Sequence, residues 1–206
     1  ESTGRIYDLR NDWWVDERRD IEKSTLAAAR FLKDLNKRFD GDWYLAAAAY
    51  NAGGGKINQA IKQSGSRDFW KLTEGKVLQT ETKNYLPKLL AALTIVSDLD
   101  AYGFGDLDFQ HPQPYETIVV PTTTDLEVIA RLGDVDYEDL KSLNPELKRW
   151  CTPPGIKDYR LRVPIGSSLV LQEGYAALSI DQRARYHRHQ ITKGDTLGNL
   201  AKRYRI

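Results

Sequence analysis

Residues 46–57 read AAAAYNAGGGKI, and the abrupt change inside this stretch decides how the first hundred residues fold. Four alanines make one of the strongest helix-forming runs available, and the three glycines at 53–55 make one of the weakest. Tyr50 and Asn51 stand between them, a hydroxyl and an amide placed where helix gives way to turn. Two readings of the pair are open. One is an ordinary helix C-terminus, with glycine as the stop and tyrosine as packing. The other is a pair of hydrogen-bonding groups held for a ligand.

The flanks extend the helical reading in both directions. On the N-terminal side, Ala28, Phe31, Leu32, Leu35 and Phe39 fall at helical spacing and form one apolar stripe, with Asp20 placed to cap that helix. The DGD at 40–42 breaks it, and Asp42 can cap the alanine helix. On the C-terminal side KINQAIKQ predicts a third helix and RDFW a further turn. A long helix is expected over roughly 80–98, with Tyr85, Leu86, Leu89, Leu90, Leu93 and Val96 inward. Pro87 lies inside that pattern and predicts a start near Asn84 or a kink.

The periodicity ends in AYGFGDLDFQHPQP, a Gly- and Pro-rich stretch that predicts a linker over 102–114. Beyond it the chain aligns with itself, without a gap, at an offset of 71 residues. Tyr115 meets Tyr186, Val120 meets Ile191, Leu126 meets Leu197, Ile129 meets Leu200 and Val135 meets Ile206. Each copy reads as strand, turn and amphipathic helix. The first continues through VDYEDLKSLNP and YRLRVPIG, a second helix and a closing strand, so the module is βααβ. The division expected is therefore helical residues 1–101, the linker, a first module over 115–166, a connector over 167–185 and half a second module over 186–206. The fold class is α+β.

Composition excludes several function classes. Among 206 residues, 30 are Lys or Arg and 29 are Asp or Glu, giving a net charge of +1. No basic stripe interleaved with aromatics appears, so nucleic acid is not expected as a partner. No apolar run has the length of a membrane span. Cys151 is the only cysteine, which excludes intrachain disulfides and Cys-based zinc sites, and it reads as a small packing residue. His111, His187 and His189 lack metal-ligand spacing, so neither metal nor cofactor is expected. Glu17, beside Arg18 and Arg19, reads as a surface ion pair, and Trp13 and Trp14 read as core. TETKNYLPK places Glu81 and Tyr85 four apart, on one helix face.

Taken together, AYNAGGGKI, ETKNYLPK, the helix DIEKSTLAAARFLKDLNKRF and the opening STGRIYDL resemble the lysozyme-like domain of lytic transglycosylases, most closely the membrane-bound lytic transglycosylase D group, over about residues 2–100. The resemblance implies cleavage of the β-1,4 bond between N-acetylmuramic acid and N-acetylglucosamine in peptidoglycan. In that family a single Glu first protonates the glycosidic oxygen and then deprotonates the muramyl 6-hydroxyl, closing a 1,6-anhydro ring. That differs from the two-carboxylate scheme of most glycosidases. Glu1 and Ser2 look like the family's catalytic Glu-Ser, but they lead straight into TGRIYDL, which in the family lies further along. The resemblance therefore places the acid upstream of this chain, which by itself is expected to be inactive. It casts Tyr50 as the hydroxyl that holds the acid and Asn51 as a sugar-binding amide. Ala52 and Gly53 become backbone along the groove, Tyr85 a second cleft tyrosine, and Glu81 a buried supporting carboxylate.

HQITKGDTLGNLAKRYRI resembles the first half of a LysM module, in which the turn formed here by Lys193, Gly194, Asp195, Thr196 and Leu197 would wall a groove for N-acetylglucosamine-containing glycan. Its remaining half is expected after Ile206. The first copy resembles a divergent LysM that keeps LNP at 143–145 but has Thr122, Thr123 and Thr124 in place of Lys-Gly-Asp, which leaves glycan binding and a purely structural role both open. The implied setting is the periplasm or cell envelope, with peptidoglycan glycan strands as partner, a monomeric state, and a lipid or outer-membrane anchor on the longer protein. The rival readings are a hydrolase of the same fold and a non-catalytic peptidoglycan-binding protein.

Overall fold

The structure is a computed structural model that describes residues 2–184, 189 and 191–204. The chain divides into two compact units, residues 1–113 and 114–206.

In the first unit, α1 (Ser2–Ile6) and a 3₁₀ turn (Glu17–Arg19) precede α2 (Ile21–Arg38), α3 (Trp43–Ala52), α4 (Gly54–Ser64), α5 (Phe69–Glu74) and α6 (Thr80–Ser97). The predicted caps are in place. Asp20 accepts from the Lys23 N–H, and Asp42 accepts from the N–H groups of Tyr44 and Leu45. Between α2 and α3 the chain turns at Asp40 and Gly41, both with positive φ. The alanine helix is the centre of the unit: Leu45 and Ala46 to Ala49 are all buried, and α2, α4 and α6 each pack against α3. Leu35, Phe39, Ile57, Phe69, Leu72 and Leu86 close the core around it.

Three sequence expectations are corrected here. Helix α6 begins at Thr80, not near Asn84, and runs through Pro87. Thr82 and Leu86 pack inward, and that burial holds the helix despite the hydrogen bond that proline removes. Its second half turns only part of the expected face inward: Leu90 packs against the core, whereas Leu89, Leu93 and Val96 are exposed. Trp13, read as core, is 65% exposed, while Trp14 is half-buried. Glu17 pairs with Lys23 and accepts from the Arg10 N–H, while Arg18 turns to Asp16.

In the second unit β1 (Tyr115–Val120) and β2 (Tyr159–Pro164) pair antiparallel, with Tyr115 opposite Pro164 and Val120 opposite Tyr159. Between them lie α7 (Leu126–Gly133) and α8 (Tyr137–Leu143), giving the βααβ order. The core takes Ile118, Val120, Leu126, Ile129, Leu140, Leu161 and Val163, together with Cys151, which is fully buried. Asn144 is buried and fully used: its Nδ2 donates to the carbonyls of Leu140 and Arg162, and its Oδ1 accepts from the Arg162 N–H. Residues 167–184, within the expected connector, hold packed structure. Helix α9 (Ser168–Ala177) buries Leu171 and Tyr175 against α7 and β1, and α10 (Ile180–Arg183) follows. The α7–α9 crossing is close because each helix offers a glycine. A Cβ on Gly133 would meet Leu171 at 2.9 Å, and one on Gly174 would meet Leu132 at 3.2 Å.

The second copy contributes a turn at Lys193 and Gly194 and helix α11 (Leu197–Tyr204). Its expected strand and its start at Tyr186 lie largely outside the described residues, as does Glu1. Leu126 is buried, whereas its repeat partner Leu197 is 88% exposed, because no described residue plays for it the part of α8 and β2.

Two measurements check this packing. Asp42→Ala should destabilise the chain by about 1 kcal/mol in urea unfolding, and Asp42→Asn should restore most of that. Glu116 on β1 accepts from Ser168 at the start of α9, and the hydrogen bonds from that serine hold its carboxyl below the usual range. A depressed folded-state pKa stabilises above the unfolded value of about 4.3 and is lost as pH falls through the folded one. The Tm gap between the native chain and Glu116→Gln should therefore close as pH drops below about 4.

Candidate functional site

The end of α3 is built by its glycines, each for a different reason. Gly53 has φ +87° and serves both as the C-cap of α3, its N–H reaching the Ala49 carbonyl at 2.8 Å, and as the residue before α4. Few other residues adopt that backbone. At Gly54 a Cβ would meet the Arg38 guanidinium at 2.8 Å. Gly55 has neither constraint: its φ is ordinary, and a Cβ would meet nothing within 4 Å. A glycine inside a helix costs about 1 kcal/mol relative to alanine, so Gly55 is unfavourable without any local packing reason. What it leaves is open space in the first turn of α4.

Asn51 is locked by two contacts from α6. Its Nδ2 donates to Glu81 Oε1 at 3.1 Å, and its Oδ1 accepts from Thr82 Oγ1 at 2.8 Å. A carboxylate can only accept and this hydroxyl donates, so the amide has one orientation. One N–H and one lone pair of Asn51 remain for a ligand. Thus the two fragments singled out by sequence meet, thirty residues apart, through Asn51 and Glu81. Glu81 itself is exposed, which corrects its expected burial: it lies in the first turn of α6, where Thr82 and Leu86 take the inward positions. Ala52 and Tyr85 are half-buried against the core.

Tyr50 is 37% exposed and stacks at a tilt on Phe31, with ring centroids 5.4 Å apart, and Phe31 stacks at the same distance on Tyr7. The Tyr7 hydroxyl donates to Asp34, and burial together with that carboxylate raises its pKa, so the donor stays protonated. These rings line a pocket of about 200 Å³ with Leu9, Ala27 and Ala28. The hydroxyls of Tyr50 and Tyr85 have no partner among the described residues. Sequence reading missed Thr82, Phe31 and Tyr7. Thr82 adjoins Glu81 and could have been weighed, whereas no spacing rule links Tyr7 to Tyr50.

In the second unit the turn at Lys193 and Gly194 is exposed, with Gly194 at φ +104°. Asp195 accepts from His189, from the Thr192 N–H and from the Thr192 hydroxyl, and these bonds, that from His189 foremost, hold its carboxyl down at about 2. Thr196 caps α11 through the Asn199 N–H. In the first copy the equivalent threonines are consumed. Thr122 and Thr124 both bond the Tyr175 hydroxyl, and the Thr124 N–H donates to Thr152.

Residues 1–73 match the family described as the transglycosylase SLT domain, and residues 115–180 match the family described as the lytic transglycosylase MltD, LysM-like domain. The chain carries an SLT domain followed by an MltD-type LysM-like domain. Membrane-bound lytic murein transglycosylase D of Escherichia coli (strain K12) is 30% identical over 215 residues, which is 98% of this chain and 47% of the relative. The protein of the same name from Escherichia coli O6:H1 aligns to the same extent. A putative tributyltin chloride resistance protein of Alteromonas sp. (strain M-1) is 54% identical over 48 residues, 23% of each chain. The chain thus spans about half the length of the first two relatives. The LysM-like match runs through α9, which was expected to lie outside the module.

If Asn51 is held as described, Thr82→Val should leave its Oδ1 unpaired and destabilise the chain by about 1 kcal/mol. A double-mutant cycle with Asn51→Ala in urea unfolding should return a coupling of about 0.5–1.5 kcal/mol.

Proposed function

We propose that the longer protein to which these residues belong is a peptidoglycan lytic transglycosylase. It cleaves the β-1,4 bond between N-acetylmuramic acid and N-acetylglucosamine and leaves a 1,6-anhydromuramyl end. The observation that carries the reading is the amide of Asn51, fixed by Glu81 and Thr82 at the end of α3, two residues before the Gly53 turn. In this reading Asn51 uses its remaining N–H and lone pair on substrate sugar. Tyr50, with its hydroxyl uncommitted, orients the acid–base carboxyl, which is supplied from outside residues 1–206. Tyr85 lines the cleft from α6, and Ala52 and Gly53 border it with backbone. Positioning of this kind matters because a misplaced reacting group forfeits much of the advantage of a bound complex.

The exposed turn of Lys193, Gly194, Asp195, Thr196 and Leu197 takes N-acetylglucosamine-containing glycan, and this weak contact raises the effective concentration of strand at the cleft. The setting is the cell envelope. In this reading a lipid attaches the longer protein to the envelope; none of the helices among the described residues is long and apolar enough to cross a membrane. The protein acts as a monomer.

Mass spectrometry of purified peptidoglycan digested by the N-terminally extended protein should detect 1,6-anhydromuramyl products. Asn51→Ala should lower their rate of release about 100-fold or more at unchanged fold, the scale of loss expected when a positioning group is removed. Reducing ends would instead establish a hydrolase, and sacculus binding without products would establish a binder.

A further inference from the structure

The LysM-like module has a pocket between β1 and α9. About 280 Å³ in volume, it is walled by Ile118, Val119, Pro121, Leu171 and Ala176, with Arg183 at its side. That size lies just under the range of about 300–1,000 Å³ common for small-molecule sites. Gln172 and Tyr175 complete a mostly apolar wall, and the one charge on it is positive.

Arg183 is held unusually for a surface arginine. Its guanidinium lies 4.6 Å from the centroid of the Tyr175 ring, and Nη2 donates to the Leu178 carbonyl. Its Nε is buried and finds no acceptor. No carboxylate pairs with Arg183 among the described residues. The ring beneath it is itself fixed, since the Tyr175 hydroxyl is bonded by Thr122 and Thr124. The Arg183 carbonyl accepts from the Asp125 N–H at 2.9 Å, which ties its backbone to the start of α7. A guanidinium offers five N–H donors in a planar fork suited to carboxylate. Here the fork is preorganised, partly desolvated and short of acceptors, so an incoming carboxylate loses little to ordering and gains a charge-assisted bond.

We propose that this pocket binds a carboxylate borne on a small apolar group, the free C-terminus of a short alanine-ending peptide. The carboxylate takes the Arg183 donors, and the alanine methyl sits against Val119, Leu171 and Ala176. The site is independent of the glycan cleft and requires no cleavage.

The test titrates the ¹⁵N-labelled chain with N-acetyl-alanyl-alanine and, separately, with its C-terminal amide. The acid should shift the amides of residues 118–121 and 171–176 saturably, with a Kd of about 1–10 mM. The amide should bind about tenfold or more weakly. Arg183→Gln should lose the preference for acid over amide. Ala176→Trp, which fills the pocket from an exposed helix position, should abolish both. Equal binding of acid and amide, an unchanged preference in Arg183→Gln, or no saturable shift of the native chain would each overturn the assignment.

Discussion

The first unit depends on a helix that has almost no side chains on its buried faces. Methyl groups at Ala46 to Ala49 let α2, α4 and α6 approach the α3 backbone closely, and Leu45 alone supplies bulk. Burial of four methyls stabilises by only about 3 kcal/mol, less than two buried leucines at the upper end of their range. Their consequence is geometric. Larger residues would push the neighbouring helices outward, and the Asn51 amide would no longer reach Glu81 and Thr82 on α6. The same run ends where its packing ends, at a glycine whose φ of +87° turns the chain directly into α4. Thus the alanines position the polar pair, and Gly53 ends the helix just beyond it.

The second unit solves a smaller problem with buried polar clamps. Two strands and two short helices bury little apolar surface, and module-sized chains are marginal for that reason. Asn144 ties α8 to β2 with three hydrogen bonds, and Thr124, Thr152 and Tyr175 tie the turn after β1 to α9. Each of these polar groups is satisfied, which is the condition under which a buried network specifies structure at no net cost. Helix α9 adds the apolar cover of Leu171 and Tyr175 that the bare βααβ frame lacks.

Much of this was legible in the sequence because the signals are local. Helical spacing placed α2 and α3, aspartates marked their starts, and the internal offset disclosed the βααβ order before any coordinate. Meanwhile, what failed to show was decided by burial at a distance. Leu89, Leu93 and Val96 carry an inward-looking pattern, yet periodicity says only that residues share a face, not that anything covers it. Pro87 is a strong local signal that tertiary packing overrode. Residues 167–185 show weak amphipathicity, so α9 is visible only once Gly133 and Gly174 are seen to bring two helices together. At the site, resemblance to a family put the fragments carrying Asn51 and Glu81 in one cleft, whereas the bond between those two residues, Thr82 and the row of Tyr7, Phe31 and Tyr50 required the fold.

The two units treat their hydroxyls and amides in opposite ways, and that contrast separates scaffold from site. Thr122 and Thr124 occupy the turn that in the second copy is Lys193, Gly194 and Asp195, but their hydroxyls are already bonded to Tyr175. A ligand there would have to replace bonds that the fold needs. Tyr50 and Asn51 retain donors and acceptors, so a ligand there would add bonds without breaking any. Arg183 belongs with the second group, because the network that consumes the threonines also fixes the ring on which its guanidinium rests. In the first LysM-like copy, the residues that stand in place of Lys193 and Asp195 thus fix the ring on which a cation rests.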